Sequence, residues 1–156
     1  MILTTHALIG SVLGKNIGNP WILIPAALAL HFAMDHFRHG EYVESFDSKT
    51  SFANTWWKVS FDIGTSMIII SFFIFSSDLY LAQIRNILIG SFFSAFPDFL
   101  TVLHWKFKFK FLAPIYRFHS WCHKYPGGSK ERLWTFRNSL NDIIFSLAAI
   151  ILFLVF

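Results

Sequence analysis

The sequence predicts an all-α integral membrane protein, a single domain over residues 1–156 built as a helical bundle of about five segments, one of them short. Hydrophobic residues make up 54% of the chain and charged residues only 14%, whereas a soluble domain carries about 25% charge. The mean hydropathy is +0.51. The apolar stretches are continuous and lack the alternation of strands, which favours helices.

The composition also excludes several classes of protein. A soluble globule of this length could not bury so much apolar surface. The single Cys122 excludes an internal disulfide and a cysteine metal cluster. The net charge is +4, but the cations gather between apolar segments, so we expect a membrane partner and no nucleic acid. The N-terminal residues do not resemble a removable signal peptide.

The apolar segments follow one another along the chain. The first, residues 2–14, would span about 20 Å as a helix, too short to cross an apolar core of about 30 Å. The second begins at Trp21, after a typical capping pair at 19–20, and extends to about His39. The remaining segments are 60–77, 79–105 and 134–156.

Lysine and arginine predict the orientation of the bundle. Of 13 such residues, eight lie between positions 106 and 137, and three, including Lys49, lie between 38 and 58. Loops rich in these residues face the cytoplasm. We therefore expect a multi-pass protein of the bacterial inner membrane, embedded in the lipid bilayer, with a basic cytoplasmic loop at about 106–133.

Polar side chains in the apolar segments gather at one level. Each lies toward the predicted cytoplasmic end of its own segment. Because an ionisable group is costly within a bilayer, such residues tend to mark functional sites. The set comprises His6, His31, Asp35, His39, Asp62, Asp98, Asn138, Asn141 and Asp142.

The spacing within two groups of histidines and acids predicts a metal site. His31, Asp35 and His39 stand four residues apart, which places them on one face of a helix. His119 and His123 repeat the same interval within the basic loop. Imidazole and carboxylate together suit zinc or another first-row divalent ion.

Asp98 is an acid late in a long apolar segment, directly after Pro97. A proline within a helix removes a backbone hydrogen bond and usually kinks the helix, which would turn Asp98 toward the bundle centre. No lysine or arginine lies between Asn86 and Trp105. We therefore expect Asp98 to be protonated, paired with a cation from another segment or bound to a metal, and its expected histidine and acid neighbours favour the metal.

Structural interpretations of these residues stay open beside the functional one. The pair His31 and Asp35 is also typical of a buried hydrogen bond, and Glu41 of a solvated loop acid. His36 and His104 are more typical of the membrane interface. The alternating run KFKFKF at 106–111 favours lysines that reach lipid headgroups while the phenylalanines enter the interface.

Four stretches carry a resemblance to a known family. They are THALIG, HFAMDHFRHGEY, GSFFSAFPD and FHSWCH. In these stretches the chain resembles the small bacterial membrane-bound metal-dependent hydrolases, which are distantly similar to zinc-dependent phospholipase C. The family's N-terminal histidine falls on His6, its HxxxD element on His31 and Asp35, its PD acid on Asp98 and its paired histidines on His119 and His123, with His39 and Glu41 in the polar tail after HxxxD.

The resemblance implies hydrolysis of an ester or phosphoester, with lipids among the candidate substrates. Seven ligands could hold two zinc-type ions, because a catalytic zinc usually keeps three protein ligands. Asp98, Asp62 or Glu41 would act as base, and Arg117 and Lys124 would hold a phosphate. The ligand set is His6, His31, Asp35, His39, Asp98, His119 and His123.

Two other classes of function would use the same residues. The first is a small transporter of divalent cations or protons, and the second is a structural protein that uses metal to hold its helices together. A hydrolase needs its ligands near the headgroups, whereas a carrier needs them near the midplane. The common level at one end of the segments favours the hydrolase.

Overall fold

The computed structural model describes residues 1–41, 51–127 and 129–156, and only the backbone for 51–54. Lys49 lies outside these ranges. All regular structure within them is helical, which confirms the predicted all-α fold. The α-helices are α1 (Leu3–Asn16), α2 (Pro20–Asp35), α3 (Ser51–Ser76), α4 (Leu81–Phe107), α5 (Ala113–Cys122) and α6 (Phe136–Val155).

Three of these helices are long and apolar enough to cross a membrane: α3 from Thr55 onward, α4 and α6. The 20 residues of α6 correspond to about 30 Å at 1.5 Å per residue, the thickness of a bilayer core. The two helices that begin the chain are shorter, with 14 residues in α1 and 16 in α2. The second segment, expected to cross the membrane, is therefore not among the helices long enough to do so.

The prediction that the second segment remains helical to about His39 is wrong, because α2 ends at Asp35. Beyond that point helical hydrogen bonds give way to tertiary contacts. The ring of His36 bonds to the carbonyl oxygen of Cys122, and the carbonyl oxygen of Arg38 accepts from the amide of Asn141. His39 consequently lies after α2 and not on its face.

The basic loop contains a helix beyond the five predicted segments. Lys108, in the left-handed conformation with φ 56°, ends α4. Pro114 stands in the first turn of α5, where a proline fits because its missing N–H would have no helical partner. The helix α5 then carries His119 back toward the bundle.

The bundle packs around α1, which contacts α2, α3, α4 and α6. The closest approach is to α4, where Gly10 faces Gly90 so tightly that a Cβ on Gly10 would overlap the Gly90 carbonyl oxygen. Apolar side chains fill the bundle beside this crossing. The buried cluster is Ala7, Leu8, Ile70, Phe73, Ile87, Ala149 and Phe153.

We expect Gly10→Ala to destabilise the protein, because the added methyl group would push α1 away from the backbone of α4. Overpacking of this kind typically costs about 1–3 kcal/mol. Thermal unfolding in detergent measures the effect. Gly64→Ala is the matched control, since a Cβ there would meet nothing within 4 Å. Equal unfolding temperatures for the two variants would contradict the close crossing.

Candidate metal centre

The centre is built around the carboxylate of Asp35, which is 1% exposed at the end of α2. One oxygen, Oδ1, lies 3.1 Å from Nε2 of His6. The other, Oδ2, lies 3.1 Å from Nε2 of His31 and 2.8 Å from Nε2 of His119. Three helices therefore place an imidazole nitrogen against one buried carboxylate.

Asp98 brings α4 into the same centre. Its carboxylate oxygens lie 3.5 Å from Nε2 of His119 and 3.9 Å from Nε2 of His6. The Asp98 side chain is 26% exposed, whereas Asp35 is fully enclosed. Asp98 therefore lies on the more accessible side of the centre.

A second group of ligand atoms lies on the other side of Asp35. Nε2 of His39 is 4.0 Å from Oδ1 of Asp35, and Nε2 of His123 is 3.7 Å from Oδ2. Oε1 of Glu41 lies 3.0 Å from His39 and 3.5 Å from Nδ1 of His123. Arg132 forms an ion pair with the same Glu41 oxygen.

Two sets of side chains in this arrangement could hold a metal ion. One set is His31, Asp35, Asp98 and His119, and the other is Asp35, His39 and His123; in each set the ligand atoms lie within 4.8 Å of one another. Asp35 belongs to both sets. His6, the remaining predicted ligand, lies against Asp35, so the structure brings all seven predicted ligands together.

Hydrogen bonds from outside the centre orient its imidazoles. Nδ1 of His31 bonds to the carbonyl oxygen of Ser94 at 2.8 Å, and Nδ1 of His39 to the carbonyl oxygen of Phe37 at 2.7 Å. A carbonyl oxygen can only accept, so in both rings Nδ1 is the protonated donor. In the neutral ring Nε2 then directs its lone pair at the acids, which is how metal-binding histidines are usually held.

His119 has a similar outer partner. Its Nδ1 lies 2.7 Å from the hydroxyl oxygen of Thr101, on the neighbouring helix α4. Ser94 and Thr101 lie on either side of Asp98 on α4. One helix thus supplies an acid of the centre together with the outer partners of two histidines. Ser94 and Thr101 belong to no spacing pattern, so the sequence alone does not predict their contacts with the histidines.

Glu41 and His123 have strongly shifted pKa values. Burial disfavours the Glu41 carboxylate, but the close polar contact with Nε2 of His39 and the charge of Arg132 outweigh it and lower the pKa to about 2. Burial lowers the pKa of His123 to about 3, against the attraction of Asp35 and Glu41. At neutral pH Glu41 is therefore charged and His123 is neutral, as metal ligands must be.

Asp62 and Asp142 lie at the first turn of α1. The Asp62 carboxylate accepts the backbone N–H groups of Leu3 at 2.7 Å and Thr4 at 3.1 Å, and Asp142 accepts that of Ile2 at 3.0 Å. These N–H groups have no partner within the helix and form its positive end. The two acids therefore fix the start of the helix that carries His6. A base role for Asp62 stays a prediction.

The cations predicted to hold a phosphate lie on the surface. Arg117 and Lys124 are both exposed, and Nζ of Lys124 lies 5.8 Å from the ring centroid of Tyr125. The basic group that does contact the centre is Arg132, through Glu41. These two residues are 91 positions apart, so no local pattern could have paired them. The amino group of Met1, 2.5 Å from Oδ1 of Asp35, was likewise not expected.

Comparisons with protein-family models, curated proteins and solved structures found no match for this chain. The resemblance to membrane-bound metal-dependent hydrolases therefore stays an expectation from the four motif stretches. What can be said of function rests on the geometry of the centre.

We expect His123→Gln to flatten the pH dependence of stability. His123 is neutral in the folded protein, with a pKa of about 3, and gains a proton on unfolding below its ordinary pKa of about 6.5. Its contribution is therefore complete above pH 6.5 and is lost as the pH falls toward 3. The substitution should reduce the slope of the unfolding free energy in this window by up to about 1.4 kcal/mol per pH unit.

Unfolding temperatures between pH 7 and 4, recorded in detergent with a chelator present, measure this slope. His36→Gln is the control, since His36 is exposed. Identical slopes for the His123 variant and the unsubstituted protein would show that the environment assigned to His123 is wrong.

Proposed function

We propose that the protein is a membrane-bound, metal-dependent hydrolase that cleaves an ester or phosphoester at the centre around Asp35. The observation that carries the proposal is the contact between His31 and Asp35. Nδ1 of His31 donates to a carbonyl oxygen, and its Nε2 lies 3.1 Å from a carboxylate oxygen. With a neutral ring both facing atoms are acceptors, so the pair needs a proton or a cation between its members.

His39 repeats this arrangement against Glu41. Its Nδ1 is bonded to a carbonyl oxygen, and its Nε2 lies 3.0 Å from Oε1 of Glu41. Protonation of one ring could satisfy one such contact. Several histidines placed around shared carboxylates are better satisfied by a divalent cation, because adjacent imidazolium rings would repel one another.

The separations between ligand atoms support zinc. Two ligands at about 2.0 Å from a tetrahedral zinc ion stand about 3.3 Å apart. Nε2 of His31 and Nε2 of His119 are 3.3 Å apart, and the contacts of His119 with Asp35 and Asp98 are 2.8 and 3.5 Å. Because Asp35 belongs to both ligand sets, it is suited to lie between two ions. The mixture of nitrogen and oxygen donors is also one that zinc accepts.

Different residues of the centre would have different roles in hydrolysis. An ion held at the centre would supply water that ionises near neutral pH and would polarise the scissile group. Asp98, the more exposed acid, is placed to accept a proton from attacking water at a carboxylate oxygen. Glu41 is the second candidate base, and Arg132 keeps it ionised. Phosphate binding by Arg117 and Lys124 stays a prediction.

The position of the centre supports hydrolysis over cation transport. His31 and Asp35 lie in the last turns of α2, and Asp98 lies in the second half of α4, one of the helices long enough to cross a membrane. The proposed ligands therefore lie toward one end of the bundle, on the side of the headgroups, where water and an ester bond of a lipid meet. A carrier would place its site near the midplane, where either side can reach it.

We expect Asp98→Asn to fold but to lose bound metal and hydrolytic activity together, because the amide keeps the shape of the side chain and removes its charge. Loss of an outer partner usually costs only about 10–100-fold in affinity or activity, so a larger loss indicates a direct ligand. Metal analysis of the purified protein and assays on phospholipid and phosphoester substrates measure the two effects.

Asp142→Asn is the matched control, since Asp142 is another buried acid and caps α1. It should lower stability but retain metal. Full metal occupancy in Asp98→Asn would refute the ligand assignment. Retained metal with lost turnover would instead identify Asp98 as the base.

We further propose that the protein lies in the bacterial inner membrane with its basic loop on the cytoplasmic side. A cysteine at Lys124, in a Cys122→Ser background, should react with an impermeant maleimide in inside-out vesicles and be protected in intact spheroplasts. The exposure of Lys124 makes it suitable for labelling. Labelling in spheroplasts would reverse the orientation that the positive-inside rule predicts.

A further inference from the structure

A cavity of about 620 Å³ lies between the start of α1, α3 and the turn before α6. Its volume is within the range of about 300–1,000 Å³ that is usual for ligand sites. One wall is an apolar stripe on α3, formed by Trp57, Phe61 and Thr65 at intervals of four residues. Trp134 also lines the cavity.

The aromatic wall is open to the surroundings of the bundle. Among the described residues, Trp57 is 54% exposed, Phe61 74% and Trp134 58%. Trp57 lies near the start of the candidate span Thr55–Ser76, and Trp134 just before α6. Tryptophans in such positions are typical of the headgroup level of a bilayer. The cavity therefore lies where a lipid of the surrounding bilayer can enter it laterally.

Lys58 gives the cavity one site at which an anion could bind. It is the only cation among the described lining residues. Of the two acids beside it, Glu41 is paired with Arg132, and Asp62 accepts backbone N–H groups at the start of α1. Lys58 is half-buried, with Nζ 5.9 Å from the ring centroid of Trp57.

Glu41 connects the cavity to the metal centre. It lines the cavity, and its Oε1 lies 3.0 Å from Nε2 of His39 in the second ligand set. A group bound beside Glu41 would therefore lie next to the ligands. A water-soluble phosphoester has no apolar chain to contact the aromatic wall, whereas the acyl chain of a lipid would cover it.

We propose that this cavity binds the substrate and that the substrate is a lipid with an anionic phosphate-ester headgroup, taken sideways from the bilayer. Its phosphate pairs with Lys58, and its chain lies along Trp57, Phe61 and Trp134. The role of this lipid as substrate rests on the proposed function. Its binding does not, so the two can be tested apart.

The test is photolabelling of the full chain in phosphatidylcholine nanodiscs that contain a phosphatidic acid with a diazirine on its acyl chain. A chelator is present throughout, so that no turnover occurs. Peptide mass spectrometry should find the label on the α3 peptide with Trp57 and Phe61, well above the peptide with Phe72 and Phe75, which are 64% and 89% exposed on the same helix. The same diazirine on phosphatidylcholine should label the cavity weakly.

Two variants locate the headgroup and the chain. Lys58→Gln should lower cavity labelling by about threefold to tenfold, because it removes one charge-assisted contact. Thr65→Trp should abolish labelling by filling the cavity. Gly64→Trp is its bulk control, since it is the adjacent residue and a Cβ there would meet nothing within 4 Å. It should leave cavity labelling unchanged.

Several results would overturn the cavity proposal. They are equal labelling along α3, equal labelling by the phosphatidylcholine probe, and no effect of Lys58→Gln or Thr65→Trp. Full displacement of the probe by glycerol phosphate would also overturn it, because the occupant would then be a soluble phosphate. If the protein hydrolyses a soluble phosphoester but the cavity is not labelled, the proposed function stands and the cavity proposal fails. If the cavity is labelled but the protein binds no metal and hydrolyses nothing, the cavity proposal stands and the proposed function fails.

Discussion

The buried carboxylate of Asp35 imposes the constraint on which the rest of the centre depends. An unpaired charge enclosed by apolar helices would cost several kcal/mol, so neighbouring segments must supply protons or cations. They do so with the amino group of Met1, His6 from α1, His31 from α2, His39 after α2, His119 from α5 and His123 directly after α5. Five imidazoles around one acid are more than charge balance alone requires. The imidazoles that stay neutral could hold a metal ion, which supports the proposed metal centre.

The same constraint explains the position of α1. The helix is too short to cross a bilayer, yet it packs against four other helices. Its first turn presents N–H groups to Asp62 and Asp142, and these contacts set the height at which His6 meets Asp35. Gly10 lets the helix lie directly on α4, which carries Asp98. Helix capping and glycine packing, both structural features, therefore determine the geometry of the centre.

Sequence reasoning could predict the fold class and the gathering of the polar side chains, because both depend on short-range signals. Continuous apolar runs give helices, and polar residues at one level within them gather in space. It could not place His39, because the segment after Asp35 leaves α2 and contacts Cys122 and Asn141, which lie far away in the chain. It also missed Arg132, which meets Glu41 across 91 positions. Pairings of this kind follow from the packing of the helices and not from any local period.

The two sides of the centre differ in a way that the proposed hydrolysis would require. Asp35, His31 and His6 are enclosed and held by hydrogen bonds, so their positions are fixed before any substrate arrives. Asp98 is partly exposed, and Glu41 borders an open cavity. A site that only pinned helices together would gain nothing from acids at its accessible edge, because water there weakens ionic contacts. A hydrolase needs such an edge, since its water and its substrate must both reach the ligands from that side.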